Sequence, residues 1–475
     1  MSGFRVDFLS EPELVFAGGN TAKDPRSGLL KYGPCPPRDG SNHEVVRVGL
    51  IGDSWSISAM RDLLEDMRYG ILPEGDERQR WNQPFPGLGP NSELKMSFDQ
   101  RPMWRGEIGH DDIDSLSDVR NDADRVEMAL DYIKYQIEGV CSTTPSPDVV
   151  IVSIPETLAE LFTEDKKADT IRTADTDFRS RIKLLGMLNQ TPTQLIGPKT
   201  LAGEDVQPRR EVAWNLAVGL LYKARRGRPW KLTELKSNTC YAGISFYDER
   251  GTEPDTRASI AQVFMETGEN FVIRGDPVTD IASDADTGRT HLSAGDAERL
   301  IQTILERYGN RRQDRPDRLV IHKSSNFWKQ ETEGFKSGSV DVRQRDFITI
   351  REHHPMCLFS NTQYPPLRGT VTLPPGREEY YLYTKGFIPE ISAYAASGTP
   401  NPIVVRPHDD VNDTSYREIC EEILSFSKLD WNSSDFCKKL PVTVGIADAV
   451  SDILAEPVAQ NLPDGAFPYH YYYYM

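Results

Sequence analysis

The chain has 475 residues, of which 38% are hydrophobic and 9% aromatic. Enough apolar side chains are present to build buried cores, so wholesale disorder is excluded, and the length corresponds to two or three domains of ordinary size. The 55 Lys and Arg residues against 72 Asp and Glu residues give a net charge of −17, which argues against a chain that coats nucleic acid non-specifically. A local basic pocket stays possible, because salt screens charges beyond about 8 Å.

The sequence contains no run of about 18 apolar residues, the length that a transmembrane helix needs. The N-terminal residues MSGFRVDFLSEPELVF lack the basic region and unbroken apolar stretch of a signal peptide. The six cysteines are scattered without a C-x-x-C pair, which predicts reduced thiols. We therefore expect a cytoplasmic protein that does not bind membranes.

The first part of the chain alternates between strand and helix patterns. The apolar run VVRVGLI at 45–51 predicts a buried strand, and the following SISAMRDLLEDMR has apolar residues at helical spacing. Two further buried strands, DVVIVSIP and TPTQLIG, end at Pro155 and Pro198. This alternation predicts a parallel sheet with helices packed on it. The residues 71–104, rich in Pro and Gly, predict a long surface insertion.

A second block begins after the helix pattern REVAWNLAVGLLYKARRG and Pro229-Trp230. It opens with the strand patterns CYAGISFYD, SIAQVFM and FVIRG, followed by the helix pattern HLSAGDAERLIQTILERYG. The strand RLVIHKSS, strands near FITI, TVTL and YYLYTKG, and the helix PVTVGIADAVSDIL complete it. We predict an α/β fold with one domain at 1–232 and a second at 233–475.

Four basic and amide residues form the most informative set in the first domain. Arg179 and Lys183 are four residues apart and share one face of a helix. Gln194 lies on the third predicted strand, and Lys223 lies near the end of the later helix. Each residue taken singly is typical of a solvated surface. If they converge, they form a compact anion pocket that suits a terminal phosphate, because charge-assisted hydrogen bonds strengthen where water is excluded.

The sequence gives little support for an esterase, a nucleotide-binding or a metal-binding motif. Gly52-Asp53-Ser54 follows a strand, as in the nucleophile turn of GDS-type esterases, but no histidine has an aspartate three residues before it to activate the serine. A strand-to-helix turn capped by Asp or Ser is therefore the better interpretation. The sequence contains no G-K-[ST], which excludes a Walker-type nucleotide site. The pair His353–His354 lacks a third ligand and predicts a surface pair.

Two-metal phosphodiester hydrolysis needs several carboxylates on adjacent strands. The strand CYAGISFYD offers Ser245, while Asp248 falls on its opposite face. The strand LVIHKSSNF carries no carboxylate, and Asp448 in the last predicted helix is alone. One carboxylate cannot hold a metal pair, so the residues argue against nuclease chemistry.

At these residues the sequence resembles a short prokaryotic Argonaute, a protein made only of a MID and a PIWI domain. The resemblance is densest over 178–475, in FRSRIK, TPTQLI, AWNLAVGLLYKARRGRPWKL, CYAGISFYDE, VIHKSSNF and LDWNSSDFCKKLPVTVGIADAV, while FAGGNTAKDPRSGLLKYGP resembles the start of such proteins. It implies a Rossmann-like MID domain with an N-terminal lead-in over 1–232. It also implies an RNase H-like PIWI domain over 233–475.

The resemblance implies that Arg179, Lys183, Gln194 and Lys223 bind the 5′-phosphate of a guide strand. It further implies a Mg²⁺ ion in the same pocket, held by Gln194 and the C-terminal carboxylate of Met475. The run of tyrosines before Met475 either packs into the junction between the domains or forms a disordered tail. One departure is ARRGRPW, where relatives often carry a glycine pair before Pro-Trp.

Active members of this family carry a tetrad of acids in the PIWI domain. Here Ser245 and Ser324 occupy two of those positions, and Asp448 matches the last metal ligand. A neutral serine hydroxyl does not replace carboxylate charge at a hard cation. The resemblance therefore implies a catalytically inactive chain that is not itself an enzyme. The alternative is a guide-dependent nuclease that uses displaced acids such as Asp248.

Short Argonautes of this kind pair with a separate APAZ-containing subunit that carries an effector, commonly a sirtuin-like or TIR NADase. The resemblance thus implies a sensor of plasmid or phage DNA that uses a guide RNA. Binding of single-stranded target DNA would activate the effector subunit in a heterodimer or a higher oligomer, deplete NAD and cause abortive infection. Base pairing would supply the sequence selectivity, as in other guided systems.

Overall fold

The computed structural model describes residues 5–36, 43–73, 83–160, 178–204, 207–225, 228–233, 235–248, 257–265, 270–277, 282–283, 290–359, 361, 363–394, 398–460, 467–468 and 470–475. The strands are β1 (Arg5–Phe8), β2 (Leu14–Val15), β3 (Thr21–Ala22), β4 (Glu44–Gly52), β5 (Met96–Asp99), β6 (Arg105–Glu107), β7 (Val149–Val152), β8 (Thr193–Leu195), β9 (Lys231–Leu232), β10 (Thr239–Asp248), β11 (Arg257–Met265), β12 (Asn270–Pro277), β13 (Ala282–Ser283), β14 (Thr290–His291), β15 (Arg318–Lys323), β16 (Gln344–Arg351), β17 (Thr370–Leu373), β18 (Tyr380–Leu382) and β19 (Ile403–Asn412). The helices are α1 (Pro25–Tyr32), α2 (Ser54–Tyr69), α3 (His110–Leu116), α4 (Asp122–Cys141), α5 (Glu156–Glu160), α6 (Phe178–Leu188), α7 (Pro198–Ala202), α8 (Arg209–Arg225), α9 (Ala294–Arg312), α10 (Lys329–Gly338), α11 (Tyr416–Phe426), α12 (Val442–Gly445), α13 (Ala447–Leu454) and α14 (Pro457–Gln460).

The first sheet is parallel and has the strand order β5-β4-β7-β8, with β6 beside β4. Because parallel strands are buried on both faces, helices cover each side. Apolar residues of α2 and α8 pack with Val48 and Leu50 on one face, and those of α4 and α6 pack with Val150 and Val152 on the other. The three predicted buried strands of this region are confirmed as β4, β7 and β8.

The stretch 71–104, predicted as a surface insertion, contributes to the first sheet and its core. Met96–Asp99 forms β5, which pairs in parallel with β4, and Phe85, Leu94 and Trp104 are buried. The residues 74–82 lie outside the described part of the chain. The Pro and Gly residues of this stretch give it the sequence pattern of a surface loop. Its few apolar side chains are buried because they pack with residues of α2 and α4, which are distant in sequence.

The second sheet has nine strands in the order β1-β17-β18-β19-β16-β15-β10-β11-β12. Its centre is parallel, since β15 pairs in parallel with both β10 and β16, while β10, β11 and β12 form an antiparallel meander. Apolar residues of α9 and α10 pack on one face, and those of α11, α12 and α13 pack on the other. The strands predicted from CYAGISFYD, SIAQVFM and FVIRG are confirmed.

The N-terminal residues reach the second sheet and helix α8 of the first domain. β1 pairs with β17 at the edge of the second sheet. The buried Glu11 accepts hydrogen bonds from Arg368 Nε (2.8 Å) and Lys428 Nζ (2.7 Å). The buried Arg26 donates to Glu211 Oε1 on α8 (2.7 Å). The lead-in therefore ties together segments on either side of residue 232, where the sequence places a domain boundary that stays a prediction.

No helix in the described ranges combines the length and the apolar character that crossing a lipid bilayer demands.

Candidate functional site

Helix α6 brings the first pair of predicted site residues to the edge of the first sheet. Its apolar residues Phe178, Ile182 and Met187 are buried, and Lys183 lies among them with 3% of its surface exposed. Gly186 lets β8 approach closely, because a Cβ there would lie 2.7 Å from the main-chain oxygen of Thr191. The close approach puts the carbonyl group of Thr193 beside the Lys183 side chain.

The structure brings Lys183, Gln194 and Lys223 together. Lys183 Nζ donates to Thr193 O at 2.6 Å, and Lys223 Nζ, from the far end of α8, donates to the same oxygen at 3.2 Å. Lys223 also donates to Gln194 Oε1 at 2.5 Å. Lys183 makes a further hydrogen bond to the main-chain oxygen of Met475. Three of the four predicted phosphate ligands are therefore in one hydrogen-bonded cluster with Met475.

In this cluster the folded chain disfavours the charged forms of Lys183 and Lys223. Neither lysine forms an ion pair with a carboxylate side chain in the part of the chain that the structure describes. Burial, and then the charges of Lys223 and Arg179, hold the pKa of Lys183 well below its usual value. Burial and the charge of Arg179 lower the pKa of Lys223 to about 7, against the opposing effect of its contact with Lys183. A bound anion would favour the charged forms of both lysines, so the cluster is suited to binding one.

Arg179, the fourth predicted ligand, lies on the exposed side of α6. It lines a cavity of about 310 Å³ together with Tyr474 and Met475. The other lining residues come from the second predicted domain, namely Glu352, Phe426, Ser427, Leu429, Asp430, Asn432, Lys438, Leu440, Val442, Gly445, Ile446, Ala449 and Tyr471. The cavity therefore borders Met475, which Lys183 contacts, and the elements that cover the second sheet.

The tyrosine run packs into the structure. Tyr471, Tyr472, Tyr473 and Tyr474 are each at most 5% exposed. Tyr222 on α8 contacts Tyr472 edge to face, with ring centroids 6.0 Å apart, and Tyr473 donates from its hydroxyl to Gln190 O at 3.0 Å. Of the two alternatives for this segment, the packed arrangement is the one observed, and it holds Met475 against Lys183.

The two predicted Mg²⁺ ligands, Gln194 and Met475, belong to the lysine cluster. Gln194 Oε1 and Met475 O are the two predicted ligand atoms, and each accepts a hydrogen bond from a lysine ammonium group. No group of three or more His, Cys, Asp or Glu side chains suited to a metal occurs among the described residues. The Mg²⁺ ion stays a prediction, and no step below depends on it.

The positions predicted as a degenerate nuclease centre lie on neighbouring strands of the second sheet. β10 and β15 are parallel neighbours whose last registered pair is Ile244 with Lys323, so Ser245 and Ser324 follow directly in that register. Ser245 Oγ is buried with no hydrogen-bond partner in the described part of the chain, and Ser324 is exposed. Asp448 belongs to α13, which packs on β10, but its side chain lies outside the described residues, as does that of Asp248.

The buried carboxylates of Asp346 on β16, Glu422 on α11 and Glu331 on α10 form ion pairs. Arg318 donates to Asp346 Oδ2 at 2.6 Å and to Glu422 Oε2 at 3.0 Å. Lys323 Nζ lies 2.6 Å from both carboxylate oxygens of Glu331. These acids stabilise the sheet and the start of neighbouring helices, so they cannot serve as metal ligands without breaking buried ion pairs.

The remaining motifs are structural. Asp53 caps α2, since its carboxylate accepts a hydrogen bond from the Ser56 amide at 2.7 Å, which confirms the predicted capped turn. His353 is exposed, and His354 stacks on Tyr381 with ring centroids 4.2 Å apart. The loop residues Asp430 and Asn432 had no predicted role. The only sequence signal for them is their position in LDWNSSDF, one of the segments that carry the family resemblance.

Comparison with known proteins found similarity at the level of the fold. No protein-family model and no curated protein matches the chain. Clostridium butyricum Argonaute, solved with a guide DNA and a 19-mer target DNA, matches with a TM-score of 0.65 at 16% identity over 99% of this chain and 55% of that one. Drosophila Piwi matches with a TM-score of 0.63 at 15% identity over 99% of this chain and 56% of that one. A. aeolicus Argonaute gives 0.58 at 16% identity over 94% and 53%.

The chain thus spans about half the length of the solved proteins that it matches. The matched structures are Argonaute proteins, and the mixed α/β architecture with its parallel sheet elements is consistent with the MID and RNase H-like PIWI fold. The predicted fold, a Rossmann-like MID domain followed by an RNase H-like PIWI domain, is therefore confirmed.

Proposed function

We propose that this chain binds the 5′-phosphorylated end of a guide RNA and uses it to recognise single-stranded target DNA. The observation that carries the proposal is the convergence of Lys183, Lys223 and Gln194 in one buried cluster, with Arg179 beside it. An isolated buried ammonium group is costly, and the cost is offset when an anion enters and accepts its hydrogen bonds. A terminal phosphate supplies both the charge and several acceptor oxygens.

In this proposal the protein neutralises the charge of the guide's 5′-phosphate and holds the guide in place. Arg179, Lys183 and Lys223 neutralise the terminal phosphate, and the amide of Gln194 adds a neutral hydrogen-bonding group. Base pairing between guide and target selects the sequence, while the protein contacts the backbone. The likeness of fold to an Argonaute solved with guide and target DNA supports this role, although that protein is nearly twice as long.

We further propose that the chain does not cleave its target. Ser245 and Ser324 stand where neighbouring strands would need carboxylates, and Asp346, Glu422 and Glu331 are held in buried ion pairs. Target binding would instead activate an APAZ-containing effector subunit, a sirtuin-like or TIR NADase, so that NAD is depleted and the infected cell stops growing. The binding free energy of the guide–target duplex would shift the assembly toward its active state.

The primary test compares a short RNA with a 5′-phosphate and the same RNA with a 5′-hydroxyl, using wild type, Lys183→Met and Arg181→Met. Arg181 is the matched control, because it lies on α6 two residues away and pairs with Glu127 at 2.7 Å outside the cluster. Wild type and Arg181→Met should prefer the phosphate, and Lys183→Met should lose about ten- to a hundredfold of that preference. Equal binding of both RNAs by wild type would refute the phosphate pocket.

A cleavage assay tests the absence of nuclease activity. A guide-matched, labelled DNA target is incubated with the loaded protein in Mg²⁺ or Mn²⁺ and should stay intact. Cleavage that Asp448→Ala abolishes would establish the nuclease alternative. The effector role is tested separately, by measuring NAD in cells that carry the chain with its APAZ-containing partner, with and without an invading plasmid.

A further inference from the structure

The loop 430–434 reaches the lysine cluster from the second predicted domain and is firmly held there. The Asp430 carboxylate accepts hydrogen bonds from the main-chain N–H of Asn432 and from the Ser433 hydroxyl, both at 2.9 Å. Ser434 donates from its amide and its hydroxyl to Asn215 Oδ1 on α8, each at 2.9 Å. Arg26 Nε, from the N-terminal lead-in, donates to Ser434 Oγ at 3.0 Å. The loop therefore has a fixed position against α8.

This position places the Asn432 side chain beside Gln194. Gly219 on α8 makes room for both, since a Cβ at Gly219 would lie 3.6 Å from Asn432 Oδ1 and 3.6 Å from Gln194 Oε1. Asn432 also lines the cavity that Arg179 and Met475 share. Asn432 thus lies next to Gln194 of the lysine cluster and also borders the cavity.

The side-chain amide of Asn432 makes no hydrogen bond within the described ranges of the chain, although its neighbours Asp430, Ser433 and Ser434 all do. An amide has two donors and an acceptor, and a loop this well anchored keeps it in place without using them. A preorganised group with open hydrogen-bonding capacity at the mouth of a cationic pocket is suited to binding a ligand there.

We propose that Asn432 is a further binding residue of this pocket, and that its amide donates a hydrogen bond to an oxygen of the terminal phosphate. This inference rests on the proposed function of the lysine cluster. Asn432 supplies a contact from the second predicted domain, so the bound end of the nucleic acid bridges two distant parts of the sequence. A hydrogen bond from the Asn432 amide would orient the phosphate, whereas most other proposed ligands of the pocket are cationic side chains.

The test measures binding of the same RNA, with 5′-phosphate and with 5′-hydroxyl, to wild type, Asn432→Ala, Asn432→Asp and Asn310→Asp. Asn432→Ala should weaken binding of the phosphorylated RNA about tenfold and leave the hydroxyl RNA unchanged. Asn432→Asp keeps the shape but adds a carboxylate that repels the phosphate, so its loss should be larger. Asn310→Asp adds the same charge to the exposed surface of α9 and should bind like wild type.

The outcomes separate this inference from the proposed function. If wild type itself does not distinguish the two RNAs, the phosphate pocket and the role of Asn432 both fail. If wild type prefers the phosphate and both Asn432 variants bind like wild type, only the role of Asn432 fails. The same holds if Asn432→Ala and Asn432→Asp weaken both RNAs equally, because that pattern belongs to a loop that has lost its structure.

Discussion

Lys183 and Lys223 donate hydrogen bonds to the same atom, the main-chain oxygen of Thr193, although 40 residues separate them in sequence. Lys183 has Met475 O and Lys223 has Gln194 Oε1 as a further acceptor, and burial disfavours the charged form of both side chains. The arrangement is unfavourable for the empty protein and favourable once an anion arrives. The pocket is therefore built for binding at the expense of stability, as binding sites commonly are.

The first prediction concerns the stability that the empty protein loses by burying Lys223. Replacing Lys223 with Met removes a buried amine whose charged form the folded chain disfavours, and keeps a side chain of similar length. The free energy of unfolding of the empty protein should therefore rise by about 1–3 kcal/mol. The same variant should lose preference for a 5′-phosphorylated RNA. Urea unfolding and RNA binding, measured in parallel, check the two effects. Arg181→Met should change neither by much, and a less stable Lys223→Met would contradict the argument.

Local sequence patterns predicted the parts of the fold that local physics determines. The apolar run of β4 and the Asp53 cap of α2 are visible without any knowledge of the rest of the chain. The pocket ligands were reached through the family resemblance, because no local pattern links Lys183 on α6 to Lys223 on α8. Asn432 carried no signal of its own, since its role depends on Gly219 and Gln194 being beside it in the folded chain.

Other elements escaped prediction for identifiable reasons. β19 contains Pro407 and several charged residues, a composition that disfavours a strand. The structure accommodates Pro407 next to a register shift between β16 and β19, where the ladder is already interrupted. β1 lies near the start of the chain but pairs with β17, more than 350 residues later. A four-residue sequence pattern cannot predict a partner that distant.

The second prediction concerns Glu11, which joins the lead-in to Arg368 and Lys428. Glu11→Ala would leave two buried cations without their shared partner, so we expect it to lower the free energy of unfolding by about 3–5 kcal/mol. Chemical denaturation of the variant measures this loss. Val6→Ala, a change in the exposed side chain of the nearby strand β1, should cost far less. A loss below about 1 kcal/mol for Glu11→Ala would show that the cluster does not stabilise the fold.

The same cluster gives a pH dependence with a definite sign. Burial alone would raise the pKa of Glu11, but the charges of Arg368 and Lys428 outweigh it and hold the pKa below its usual value. The stability contributed by Glu11 is therefore present above the pKa of the unfolded chain and is lost as the pH falls through the folded value. Unfolding of wild type and Glu11→Gln across the acidic range should show a shallower acid dependence in the variant.

The third prediction concerns His322 on β15, whose Nδ1 lies 2.7 Å from Thr443 Oγ1. Burial, and then the charge of Arg318, lower the pKa of His322 to about 3. Between about pH 6.5 and pH 3 the unfolded chain binds a proton that the folded chain does not, so stability falls by about 1.4 kcal/mol for each pH unit in this window. His322→Gln should remove that part of the slope, and an unchanged slope would contradict the buried neutral imidazole.

The fourth prediction tests how α12 is positioned over β10. Gly243 lies beneath α12, and a Cβ at this position would overlap the main-chain oxygen of Thr443. Since main-chain atoms cannot rotate away as a flexible side chain can, Gly243→Ala must push α12 outward and disturb Val442 and Gly445, which line the cavity beside the lysine cluster. We expect a loss of about 1–3 kcal/mol in the free energy of unfolding and weaker binding of phosphorylated RNA.

Gly139 on α4 provides the matched control, because a Cβ there would have no heavy atom within 4 Å. Gly139→Ala should raise the stability by about 0.5–1 kcal/mol through helix propensity and leave RNA binding unchanged. Parallel unfolding and binding curves for the two variants compare the same chemical change at a crowded and an open position. If Gly243→Ala proved as stable as wild type and bound RNA equally well, α12 would not depend on close approach to β10, and the cavity wall would be set by other contacts.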